Sequence, residues 1–215
     1  MSALFELYQN TVVFLLYGLL SIIIILIFYA LPPLTRILKF ELKNKSIVLL
    51  LIIFLIGFAI RILIMPQIHL MYIDEPLYID QASNINRVHK PVSCIYENLD
   101  SKACYMPFQK APGWPFLLSM LFLMSGISET AAFYLAIGLG SFCIILIFFV
   151  IYLLFSNARM ALWGALLLSL SPLYIKWSNT TETNIPSLFF TLLTLLFFLA
   201  YLKEKKRIFF TTAFF

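Results

Sequence analysis

Asp74 and Glu75 are neighbours, and with Asp80, Glu97 and Asp100 they place five of the chain's ten acidic residues in one polar segment of about 46 residues, Gln67 to Pro112. Apolar runs of membrane character lie on either side. Carboxylates gathered where a chain leaves lipid can take a proton from a hydroxyl or help to hold a cation. A later acid, Glu182, sits in the short loop Ser178 to Pro186, between two further apolar runs. A growing negative charge, such as that on a leaving phosphate, needs cationic stabilisation. Lys110, near the end of the polar segment, is the first candidate for that role. Arg61 is the second: it lies one turn inside the outer end of the preceding run, where its long side chain is expected to snorkel toward a lipid headgroup.

Asp74 precedes Glu75-Pro76, a pattern that predicts a helix N-cap followed by a helix along Leu77, Ile85 and Val88, with Gln81, Asn84 and Arg87 facing water. Two readings of the pair follow. In one, Asp74 is a general base and Glu75 a second catalytic carboxylate. In the other, Asp74 only caps the helix and Glu75 only favours its dipole.

These groups must be positioned by membrane-spanning elements. The 215 residues are 62% hydrophobic and 12% charged, with 22 Phe, which is more apolar surface than a soluble domain of this length can bury. The formal charge of +5 sits in short clusters at the ends of apolar runs, where it sets orientation; it does not point to nucleic acid. Spans are expected at residues 11–31, 46–65, 130–155, 160–177 and 187–202, with a truncated one from residue 208. The chain thus reads as the N-terminal part of a longer protein. Arg36, Lys39, Lys43 and Lys45 after the first span, and Lys203, Lys205, Lys206 and Arg207 after the fifth, are expected on the cytoplasmic side. Residues 67–129 then form an extracytoplasmic loop. Within it, Gly113 to Ser125 reaches only roughly 20 Å as a helix and is expected to lie in the interface. This count returns Glu182 to the same outer side as Asp74 and Glu75.

Arg61, then Asp74-Glu75-x-x-Tyr78-x-x-x-Ala82, then Lys110-Ala111-Pro112-Gly113, then Ser171-Pro172 and Glu182, resembles in order and spacing the N-terminal half of GT-C glycosyltransferases. The similarity is to the protein O-mannosyltransferase and lipid A aminoarabinose transferase group. It extends over Ser46 to Arg207. Lys-Pro-Pro is here Lys110-Ala111-Pro112, and Glu182 stands where many relatives have Asp. The resemblance implies an all-α integral membrane bundle whose first extracytoplasmic loop carries juxtamembrane helices. It also implies transfer of a sugar from a polyprenyl (dolichyl or undecaprenyl) phosphate to a protein, lipid or glycan acceptor, in the plasma membrane of a prokaryote. Asp74 and Glu75 would be catalytic, Lys110, Arg61 and Tyr78 would bind substrate or phosphate, and Glu182 would contribute to a divalent metal site.

Other classes carry weaker signals. A transporter places charges and helix breaks in mid-membrane, whereas these spans read as clean between their ends; a non-catalytic membrane subunit is the third reading. Seven glycines form no phosphate loop, so a nucleotide sugar has no visible site. Cys94 and Cys104 are expected either as a disulfide or as two free thiols, and Cys143 as an apolar filler. His69 and His89 lack zinc spacing, and Asn179-Thr180-Thr181 is read as a chance sequon. Tyr29, Tyr72, Trp114, Tyr174 and Trp177 read as interface aromatics.

Overall fold

The computed structural model describes residues 2–39, 44–64, 74–94 and 113–214, and among them the regular structure is helical. The helices are α1 (Ser2–Lys39), α2 (Asn44–Ile64), α3 (Asp74–Val88), α4 (Gly113–Ser125), α5 (Glu129–Phe155), α6 (Ala158–Leu170), α7 (Pro172–Ser178), α8 (Asn184–Glu204) and α9 (Arg207–Phe214). Four stretches are long and apolar enough to cross a bilayer: Leu15–Thr35, Asn44–Leu63, Glu129–Phe155 and Asn184–Glu204. Exposed Leu15, Ile25 and Phe28 on the first and Leu51, Leu55 and Leu63 on the second are what lipid-facing helices present. The chain is an all-α membrane protein.

The fourth expected span is not one rod. The single span expected over 160–177 is two helices, α6 and α7, bent by 62° at Ser171. Pro172 has no N–H to continue the ladder, and it drives the preceding residue out of the helical region; Ser171 has φ −63° and ψ 118°. Ser171 then caps the second piece, its Oγ accepting the Tyr174 N–H at 3.4 Å. Three other helices end on a non-glycine residue with positive φ, at His89, Ser156 and Lys205. Each donates its N–H back to the carbonyl four residues earlier, which satisfies a terminal acceptor without glycine.

The chain divides into two compact units. Unit 1 comprises Met1–Leu20, Leu70–Leu135 and Thr180–Thr183. Its centre is the pairing of α3 with α4, where Ile85 and Phe116 are buried together and Leu16, Tyr17, Leu20 and Met120 pack around them. Asn86 Nδ2 donates to Ser119 O at 2.9 Å, and the Tyr17 and Phe116 rings meet edge to face at 4.8 Å. The 13 residues of α4 are too short to cross a hydrocarbon core of roughly 30 Å, and they lie against a helix rich in acids and amides.

Unit 2 comprises Ser21–His69, Ala136–Asn179 and Asn184–Phe215. Its core gathers Cys143, Ile144, Phe148, Ala161, Ala165, Tyr174, Leu196 and Phe197 from α5 to α8. Close approach depends on small residues, as is usual between helices in lipid. A Cβ on Gly140 would stand 3.0 Å from Ser178 Cβ, and one on Gly57 would stand 3.2 Å from Ser169 Cβ.

Candidate active site

Unit 1 carries the predicted carboxylates. The helix expected at Asp74 begins there, with Asp74 and Glu75 in its first turn, where the helix dipole favours negative charge. Asp74 is half-buried. Glu75 is 2% exposed, because it continues the packed stripe of Tyr78, Ala82 and Ile85 at helical spacings of three and four. Two sequence expectations for this helix are corrected. Gln81 is buried, donating from Nε2 to Pro91 O at 3.3 Å, and Val88 is 52% exposed. The returning segment of residues 91–94 supplies the reason: it covers the Gln81 side of the helix. Asp80 Oδ2 accepts the Ser93 hydroxyl at 2.8 Å and the Cys94 N–H at 2.7 Å, and Asn84 Nδ2 donates to Val92 O at 3.0 Å. Cys94 is disulfide-bonded. Its expected partner Cys104, like Lys110, lies outside the described residues.

The second acidic segment meets the first. Thr181 N–H donates to Glu75 Oε1 at 2.8 Å, and Thr181 O accepts Trp114 Nε1–H at 2.6 Å. Glu182, the next residue, is half-buried. The sequon is closed: Asn179 and Thr180 are at most 3% exposed and Thr181 is fully buried, with Asn179 Nδ2 donating to Ile175 O at 2.9 Å. Trp114 is no interface aromatic but a buried donor, and Tyr174 likewise is buried, its hydroxyl donating to Gly140 O at 2.8 Å. The Glu75 register was legible as a three-and-four spacing. Its acceptor role toward Thr181 was not, since the partner is 106 residues away.

Arg61 departs from expectation. It does not snorkel; within unit 2 it is fully buried. Nη1 donates to Gly57 O at 2.7 Å and Ser169 O at 3.4 Å, Nε donates to Ser178 Oγ at 3.2 Å, and the guanidinium lies 5.0 Å from the centre of the Tyr174 ring. The bend explains this. Ser169 O is among the last carbonyls of α6, left without an intrahelical donor, and Arg61 supplies one beside the negative end of that helix. Its enclosed guanidinium offers no exposed face to a carrier headgroup. Tyr78 is 3% exposed, within the α3 stripe. Lys176 is exposed over the Trp177 ring at 5.7 Å.

Among the described residues no three His, Cys, Asp or Glu side chains converge on a cation site.

No curated protein and no solved structure matches the chain. A family model does, described as dolichyl-phosphate-mannose-protein mannosyltransferase, and it covers residues 109–215, from the end of the polar segment through α9. The match includes α4 with Trp114, the broken α6–α7 pair and the Thr181 loop. Over these residues the chain belongs to the dolichyl-phosphate-mannose-protein mannosyltransferase family, a family of membrane glycosyltransferases.

Proposed function

We propose that this protein moves a sugar from a polyprenyl phosphate to an acceptor hydroxyl on the extracytoplasmic face, with Asp74 as the base. The meeting of the two acidic segments in unit 1, through Glu75 and the Thr181 amide, carries this reading. In the step, the acceptor O–H gives its proton to the Asp74 carboxylate, and its oxygen attacks the anomeric carbon. The bond from that carbon to the phosphate oxygen breaks, and the electron pair leaves with the polyprenyl phosphate. Charge grows on the phosphate as this bond opens, which is where a cation acts. Lys110 is assigned to that charge, by its place in the polar segment just before α4.

Transport is the second reading, and one observation favours it: a span is broken and a buried cation lies beside the break, against the expectation of clean spans. The family match favours transfer. Incubating the complete protein in liposomes with polyprenyl phosphate carrying a labelled sugar separates the two. Transfer predicts labelled acceptor and free polyprenyl phosphate in equal amounts by mass analysis. Labelled sugar-lipid recovered intact, with no acceptor product, contradicts it.

A further inference from the structure

Both backbone polar groups of Thr181 are held by side chains of different helices. Glu75, in the first turn of α3, accepts the Thr181 N–H at 2.8 Å, and Trp114, in the first turn of α4, donates its Nε1–H to the Thr181 carbonyl at 2.6 Å. All three residues are almost entirely enclosed, at 2%, 4% and 0% exposure for Glu75, Trp114 and Thr181. A buried backbone unit must satisfy one donor and one acceptor. In a loop, where no helix or sheet does so, side chains have to.

From this geometry we infer that Glu75 is a positioning residue and not a second catalytic carboxylate. Glu75 and Trp114 together clamp the Thr181 peptide, which fixes the next residue, Glu182, close to the start of α3, where Asp74 stands. Toward the Thr181 amide the required chemistry is an acceptor oxygen of the right reach, which a carboxamide also has. Trp114 has a matching requirement, an N–H donor on a rigid ring, which phenylalanine lacks. The inference rests on the reading of Asp74 as base and assigns its neighbour a separate task.

The test is a set of variants of the complete protein, Glu75→Gln, Glu75→Ala, Trp114→Phe and the double variant Glu75→Ala/Trp114→Phe. Two quantities are read: sugar transfer, and hydrogen exchange of the peptide that includes the Thr181 amide. Glu75→Gln is expected to keep transfer within about threefold of the parent and to keep that amide protected. Glu75→Ala should lose at least tenfold in transfer together with the protection, and Trp114→Phe should also lose transfer. The double variant should lose little more than the worse single one, because both changes open the same clamp. Glu75→Gln falling as far as Asp74→Asn would overturn the assignment, since the charge itself would then be needed. Unaltered protection in Glu75→Ala would also overturn it. Failure of the base reading is distinguishable: Asp74→Asn would leave transfer unchanged, while the exchange of the Thr181 amide would still report the clamp.

Discussion

Asp74→Asn is expected to lower sugar transfer by about 10²–10⁴-fold while leaving the folded protein intact, the range that a positioned general base contributes. The substitution keeps the size of the side chain and removes its negative charge, and with it the ability to accept a proton from a hydroxyl. Asparagine is as good a residue as aspartate at a helix start. The capping reading therefore predicts almost no change, beyond the loss of a favourable dipole interaction of about 0.3–1 kcal/mol. Such a loss shifts a thermal midpoint slightly and leaves the turnover of the folded fraction alone. Initial rates at saturating carrier, with unfolding followed on the same samples, decide between the readings. A fall in turnover with an unmoved midpoint supports the base; unchanged turnover removes it.

Arg61→Ala is expected to destabilise the protein by about 2–4 kcal/mol, read as a lower unfolding midpoint in detergent. Two terms oppose each other here. Burying a guanidinium costs several kcal/mol, and among the described residues no carboxylate faces it, so removing it gives some of that back. Against this stand the lost donors to Ser169 O and Ser178 Oγ, the lost contact with the Tyr174 ring, and a cavity between α2, α6 and α7. The cavity and the orphaned carbonyl at the bend are expected to dominate. Arg61→Met separates the terms, because it restores most of the volume without charge or donor. It should fall between the parent and alanine, losing about 1–2 kcal/mol for the unsatisfied Ser169 carbonyl. A methionine variant more stable than the parent would mean that desolvation dominates, and that the cation is retained for function instead of for the bend.

What could be read in advance was whatever depends on short range. The apolar runs mark α2, α5 and α8 within three residues of their ends, whereas α1 runs from Ser2 to Lys39, well beyond the expected 11–31; the Asp74-Glu75-Pro76 string marks the start of α3. Ser171-Pro172 carried a local signal for the bend as well, but an unbroken apolar count over 160–177 hid it. The misread side chains share one cause. Arg61, Trp114 and Tyr174 each look like interface residues from their place on a helix, and each is buried by a partner more than thirty residues away: Ser169 and Ser178 for Arg61, Thr181 for Trp114 and Gly140 for Tyr174. Amphipathic side chains choose between headgroup and protein according to whether acceptors wait inside. A single sequence does not reveal those acceptors.

Under the proposed function, both acidic segments are expected to open to the water on the outer side of the membrane. Single cysteines at Arg87, exposed at the end of α3, and at Thr183, beside Glu182, test it directly in sealed right-side-out vesicles with an impermeant maleimide. Cys143 is buried and Cys94 is bonded, so neither competes for the reagent. Arg87→Cys and Thr183→Cys are expected to label before permeabilisation, and Lys205→Cys only after it. Labelling of the Arg87 and Thr183 positions from opposite sides would contradict the account.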